Sequence, residues 1–372
     1  MHVLFLLYSL EAGGAQRVTI TLANHWLRGG HRVSLVTWAP AELDFYAFDP
    51  GIERISLQVT ASGGGGWGLQ ANLQRWQALR GLLRRCRPDV AIALMPSANV
   101  LLALARFGLS GTVVVGSERV HPPAEPLGRL WSFLRWLAYG ALDAVVAQTQ
   151  TSARWLRQHT CARQVVVIAN PLAPEWPAEP PLLLPQLLLH PGDHLLLAAG
   201  RLCHQKGFDV LLQAFARVAP EHPSWHLVIL GEGPERAALE RQVQALGLVA
   251  QVLLPGRAGN ISQWYDRAEL FVLSSRYEGF PNVLAEAMAA GVPVVSSDCP
   301  TGPSDLVRDG IDGCLVPPED PAALAQALAV VMADGPLRRR WAAQARQLKV
   351  RLDAALIAQT WEALFAQLGL AR

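Results

Sequence analysis

Leu270-Phe271-Val272-Leu273, Ser274-Ser275-Arg276-Tyr277-Glu278-Gly279-Phe280, Pro281-Asn282-Val283-Leu284-Ala285-Glu286-Ala287-Met288-Ala289-Ala290, Gly291-Val292-Pro293: this stretch decides the fold. Its first four residues read as a buried strand. A polar loop follows, and then a helix that starts at Pro281 or Asn282 and ends before Gly291, in keeping with Pro at helix starts and Gly just past their ends. Val292–Ser296 returns as a second strand. Strands that alternate with helices in this way belong to parallel sheets covered on both faces.

The same alternation extends outward in both directions. Upstream, strands are predicted at His194–Ala199, His226–Leu230 and Val252–Leu254, with helices at Gly207–Val218, Glu235–Leu246 and Ile261–Arg267. A separate set occupies the first half: strands Val3–Tyr8, Arg32–Thr37, Val90–Leu94, Val113–Gly116 and Ala144–Ala147, with helices Ala15–Arg28 and Gln70–Cys86. Between Asn170 and Pro191 prolines stand at 171, 174, 177, 180, 181, 185 and 191, which marks a boundary or hinge. The tail is helix-forming over 321–333, 336–349 and 353–368. The expectation is two Rossmann-like, doubly wound α/β domains facing across a cleft, 1–175 and 176–352, with the last helix, 353–372, crossing back to the first domain.

At 372 residues the chain is long enough for two domains. Its apolar fraction of 51%, charged fraction of 17% and mean hydropathy of +0.21 exclude a disordered chain and lean toward a lipid-proximal one. Charge is uneven, with 16 basic and 11 acidic residues in 1–185 and 16 and 19 in the remainder. Arg75, Arg80, Arg84, Arg85 and Arg87 cluster, but no nucleic-acid-binding signature accompanies them. The five cysteines are widely spaced, without a C-x-x-C pair, and read as buried free thiols in a reducing compartment. No segment reads as a signal peptide or a membrane span, so a cytoplasmic or peripheral protein is expected.

Three loops after strands hold residues suited to anion and sugar chemistry. Gly13-Gly14 opens a helix where backbone amides can approach an anion, although a tight turn explains the pair equally well. Gly200-Arg201 and Lys206-Gly207 add two cations to the end of a strand, as a diphosphate requires. Glu278 and Glu286 flank a helix start whose amides, near Asn282 and Val283, can hold phosphate oxygens. A glutamate inside so apolar a helix needs a partner.

The order Gly13-Gly14, Ala169-Asn170-Pro171, Gly200-Arg201, Lys206-Gly207, Leu230-Gly231-Glu232-Gly233-Pro234-Glu235 and Glu278 with Glu286 resembles retaining family-four glycosyltransferases of the GT-B fold. The likeness spans nearly the whole chain and is strongest over 195–320, which includes Asp298-Cys299-Pro300-Thr301-Gly302-Pro303. It implies that Arg201 and Lys206 clamp the diphosphate of a nucleotide sugar. Glu286 would hold ribose hydroxyls and Glu278 hydroxyls of the donor sugar. The backbone from Gly279 through Phe280, Pro281 and Asn282 to Val283 would lie along the phosphates, its non-proline amides facing them, with Pro255-Gly256-Arg257 beside the base and Gly14 over the diphosphate. The family's active-site histidine is displaced here: after Gly116 come Ser117-Glu118-Arg119-Val120-His121. Either His121 swings in, or Glu118 or Arg119 serves instead.

The resemblance implies front-face transfer of a hexose or hexosamine, with the leaving phosphate taking the acceptor proton. No tightly bound cofactor is expected, and UDP-sugar is the commonest donor. The absence of a D-x-D loop or a His/Cys cluster points to a site without metal. Eight of the twelve tryptophans lie in the first half, and Arg129 to Tyr139 combines aromatics with two arginines, including Trp131 and Trp136. This reads either as a membrane-surface helix or as an ordinary core helix. Gly63 to Gly66 beside Trp67 reads either as a mobile acceptor loop or, more simply, as a disordered surface loop. The function expected is extension of a glycan or polyprenyl-diphosphate-linked acceptor at the inner-membrane surface. A nucleotide-sugar 2-epimerase and a glycan-binding pseudoenzyme are the alternatives.

Overall fold

Every strand pairing is parallel among residues 1–11, 13–59, 69–173 and 180–370, which the computed structural model describes. The Gly63–Gly66 loop with Trp67, and Pro174, Trp176 and Pro177 of the proline-rich segment, lie outside those residues. The chain divides into two compact units, Met1–Ala173 with Leu352–Arg372, and Pro174–Arg351.

In the first unit the elements run β1 (His2–Leu7), α1 (Gly14–Arg28), β2 (Arg32–Thr37), β3 (Glu53–Ser56), α2 (Leu69–Cys86), β4 (Val90–Leu94), α3 (Pro96–Ala105), β5 (Val113–Ser117), α4 (Arg129–Ala138), β6 (Ala144–Ala147), α5 (Gln150–His159) and β7 (Val165–Val167). The sheet order is β3-β2-β1-β4-β5-β6-β7. Strand β1 is fully buried between β2 and β4, with His2 beside Arg32 and Val3 beside Val90. One face of the sheet is covered by Val18, Leu22 and Trp26 of α1, the other by Leu79, Leu82 and Leu83 of α2 together with α3.

The second unit holds β8 (His194–Ala199), α6 (Phe208–Val218), β9 (Trp225–Leu230), α7 (Arg236–Ala245), β10 (Val252–Gly256), α8 (Ile261–Arg267), β11 (Leu270–Leu273), α9 (Asn282–Ala290), β12 (Val294–Ser297), α10 (Pro303–Leu306), β13 (Gly313–Val316), α11 (Pro321–Ala333), α12 (Gly335–Ala345) and α13 (Leu348–Arg351). Its order is β10-β9-β8-β11-β12-β13. The last helix, α14 (Ala354–Gln367), belongs to the first unit. There Phe365 packs 5.7 Å from Trp26, whose indole N–H donates to Glu362 at 3.0 Å.

Several elements depart from expectation. Pro96–Ala105 is a helix that the sequence reading left unassigned, because it is buried on nearly every side and so shows almost no polar face. Strands β3, β7 and β13 are too short, at three or four residues, to show a period. The strand expected at Val292–Ser296 begins only at Val294, since Gly291, at φ +86°, still closes α9. The tail helix expected over 336–349 stops at Ala345. Of the cysteines, all free, only Cys299 is buried and Cys161 is exposed, which corrects the expectation of buried thiols. Arg75 belongs to the core rather than to a basic surface patch: it is 1% exposed and its Nε donates to the Val59 carbonyl.

Candidate functional site

Parallel sheets bind ligands outside the carboxyl ends of their strands, where the strand order reverses direction. In the second unit that point lies between β8 and β11. The loops leaving these two strands carry Arg201 and Lys206 on one side and Glu278 on the other. They meet in an ion pair, Lys206 Nζ to Glu278 Oε1 at 2.5 Å, with both side chains largely buried. Ser275 Oγ donates to the same carboxylate oxygen at 2.6 Å, and the Thr301 hydroxyl donates to the Glu278 carbonyl.

Backbone closeness makes this junction possible. At Gly207, φ is +60°, and a Cβ there would stand 2.2 Å from the Ser274 carbonyl oxygen. Gly231, after β9, approaches Gly200 so closely that a Cβ would lie 1.9 Å from its carbonyl oxygen. Only glycine fits at either position. Ser274 Oγ donates to the Lys206 carbonyl at 2.9 Å, and the Arg276 amide donates to the Gln205 carbonyl at 2.8 Å. Arg276 forks onto Asp209 with two bonds of 2.8 Å and reaches Glu319 at 2.9 Å. These bonds hold the Asp209 carboxyl below its usual pKa and raise that of the guanidinium.

Glu286 is 3% exposed within α9 and does have the partner its surroundings demand: the Tyr265 hydroxyl donates to it at 3.0 Å. The start of α9 has no side-chain cap and no acidic residue in its first turn. The Asn282 amide, expected to be free for phosphate, instead donates to the Phe280 carbonyl at 2.9 Å, because Pro281 turns the chain tightly there. Among the described residues the amides of Gly279, Phe280 and Val283 have no backbone acceptor. Pro281 is braced by Gly302 of the 298–303 loop, where a Cβ would meet the proline ring at 2.4 Å. Arg201 is exposed and forms no ion pair among the described residues. Pro255 and Gly256 end β10, and Arg257 beyond them is exposed.

In the first unit, Gly13 and Gly14 stand at the uncapped start of α1, again with no acidic residue in the first turn. The candidates for the displaced histidine separate clearly. Glu118 is 2% exposed and turned inward, accepting from the Tyr139 hydroxyl at 2.5 Å and facing Arg135 at 3.6 Å. Burial raises its pKa. His121 is 7% exposed, its Nδ1 lies 3.4 Å from Ser152 Oγ, and burial lowers its pKa, so the ring is neutral at pH 7. Arg119 donates from Nη1 to Asn170 Oδ1 at 2.6 Å. Sequence reasoning missed Tyr265 and Gln148, whose residue types carry no signal until the fold sets them beside a charged group, and it quoted Ser275 without giving it a role. Thr301 lay inside a quoted motif, but with no role attached.

The chain matches Glycosyltransferase Family 4 over residues 12–176 and Glycosyl transferases group 1 over 183–348. It is 35% identical to the lipopolysaccharide core biosynthesis mannosyltransferase LpcC of Rhizobium leguminosarum bv. viciae, over 76% of this chain and 79% of that one. It is 27% identical to a Campylobacter jejuni N-acetylgalactosaminyltransferase named for a diphosphate-undecaprenol-linked oligosaccharide, over 99% of each. An exopolysaccharide phosphotransferase of Streptomyces coelicolor is 31% identical over 99% of this chain, which spans only 41% of that protein's length. Among solved structures, sucrose-phosphate synthase of Thermosynechococcus elongatus superposes with a TM-score of 0.83 at 21% identity, covering 99% of this chain and 98% of that one. Anabaena HepE in complex with UDP and glucose does so at 0.77 and 23%, covering 99% and 100%. With two parallel-sheet units, each carrying its half of the family match, the chain belongs to the GT-B glycosyltransferases of family four.

Proposed function

We propose that the protein is a retaining hexosyltransferase that moves a hexose or hexosamine from a UDP-sugar to a glycan acceptor carried on a lipid diphosphate. The carrying observation is the junction of Lys206 and Glu278 at the switch point of the second sheet, with Arg201, which forms no ion pair among the described residues, on the same loop as Lys206. Departure of a nucleotide diphosphate needs positive charge where the bridging oxygen becomes an anion. Arg201, Lys206 and the amides of Gly279, Phe280 and Val283 supply that charge from the protein itself, so no divalent metal is required. Lys206 turns from Glu278 toward the phosphate, which leaves the Glu278 carboxylate to accept from a donor-sugar hydroxyl. Glu286, oriented by Tyr265, accepts from the ribose. Retention follows from attack on the face the diphosphate leaves, with a phosphate oxygen taking the acceptor proton. UDP in the complex of HepE supports the choice of base, and the Campylobacter relative, named for a diphosphate-undecaprenol-linked oligosaccharide, supports the acceptor class.

The acceptor side belongs to the first unit, whose α4 leaves Leu130, Phe133, Trp136 and Leu137 exposed while Arg135 anchors the helix inward on Glu118. Trp131, paired with Trp136 in the sequence reading, instead packs against the core. No helix among the described residues is long and apolar enough to cross a membrane, and an exposed apolar face suits a protein that works at the surface of one. The test is a thermal-shift screen of UDP-, GDP- and dTDP-sugars in excess EDTA. Selective stabilisation by a UDP-sugar, with transfer activity unchanged by EDTA, is expected. Stabilisation that appears only with magnesium would overturn the metal-free donor site.

A further inference from the structure

We propose that Arg119, held by Gln148 and Asn170, forms an anion site in the first unit that takes the phosphate or diphosphate group of the acceptor, an inference that rests on the transferase reading above. The three residues follow the carboxyl ends of β5, β6 and β7, three adjacent strands. Arg119 Nη1 donates to Asn170 Oδ1 at 2.6 Å, and the Gln148 side-chain amide donates to the same oxygen and has its two polar atoms 3.1 Å from Nη1 and from the Arg119 carbonyl. Both amides are buried, at 6% and 3% exposure.

The cation is not balanced by a carboxylate. Arg54, Arg106, Arg135, Arg276, Arg308 and Arg338 each form an ion pair, but among the described residues Arg119 forms none, and its buried Nε lacks any hydrogen-bond partner. The neighbouring Glu118 is committed to Tyr139 and Arg135. Desolvation alone brings the Arg119 guanidinium down to about 10, which leaves it charged at neutral pH. Arg119 is partly exposed, and a charge drawn this far from water and held by neutral amides is costly unless an anion completes it. Helix α5 starts directly after this cluster, at Gln150, with no acidic residue in its first turn, so its dipole favours the same sign of ligand. The donor diphosphate already has two cations in the second unit, Arg201 and Lys206. The anion left for Arg119 is that of the acceptor.

The experiment measures binding of farnesyl diphosphate, inorganic pyrophosphate and UDP by calorimetry to the wild type, Arg119→Gln and Arg119→Lys, each checked for folding by circular dichroism. Arg119→Gln should weaken farnesyl diphosphate and pyrophosphate at least tenfold and leave UDP within twofold, with Arg119→Lys in between. Equal farnesyl diphosphate affinity in wild type and folded Arg119→Gln would overturn the site, as would a folded wild type that binds neither diphosphate. A parallel loss of UDP affinity would overturn the acceptor assignment. Failure of UDP to bind the wild type sinks the donor reading instead, and the diphosphate comparison still stands by itself. If Arg119→Gln does not fold, Asn170→Ala, which leaves the guanidinium in place but unheld, must weaken farnesyl diphosphate at least threefold; no change overturns the proposal.

Discussion

The two units place a cation at the carboxyl ends of their sheets in opposite ways. Lys206 is matched at 2.5 Å by Glu278, itself supported by Ser275, whereas Arg119 bonds to the Asn170 side-chain amide and forms no ion pair among the described residues. A matched cation stays put without ligand, and its carboxylate partner must be exchanged for phosphate during the reaction. An unmatched one is completed only when an anion arrives. The first arrangement suits a group that acts on charge developing in the transition state, the second a group that selects what binds.

That contrast is sharpest at Lys206. Lys206→Ala should lower turnover by about a hundredfold or more, as loss of a donor to a developing oxyanion does. Steady-state transfer of labelled sugar checks this, and activity near wild type would put the charge on the diphosphate elsewhere. A smaller effect is expected at Glu286. Glu286→Ala should weaken UDP binding about tenfold, the scale of a charge-assisted hydrogen bond, and Tyr265→Phe, which only loosens that carboxylate, severalfold. Calorimetry distinguishes the two, and equal affinities in all three proteins would remove Glu286 from the nucleotide site. The smallest change belongs to the first unit's surface: Phe133→Ser with Trp136→Ser should reduce co-sedimentation with phosphatidylglycerol vesicles by about half while UDP affinity holds, as expected when two partly inserted rings are lost. Unchanged sedimentation would leave α4 without a role at a lipid surface.

Much of this was legible before the fold was known. Helix α9 begins and ends at the residues its proline and glycine mark, Asn282 and Ala290. The partner inferred for Glu286 from its apolar surroundings exists in Tyr265. The amide of Asn282 was misjudged because a proline-directed turn, not the helix, sets its acceptor. Helix α3 was missed because complete burial erases the periodicity by which a helix is recognised.

By itself, the sequence determined the alternation of strands and helices, and with it two parallel sheets, because side-chain periodicity and helix-end preferences act over a few residues. It also placed Arg201, Lys206, Glu278 and Glu286 after the right strands. Which of those charges meet was decided by the tertiary structure. Lys206 and Glu278 are 72 positions apart and become neighbours only because β8 and β11 lie side by side. The same holds for Arg119 and Asn170, 51 positions apart, whose contact depends on the order of β5, β6 and β7. A charge's partner is a matter of distance in space, and strand order, which local preferences do not encode, sets that distance.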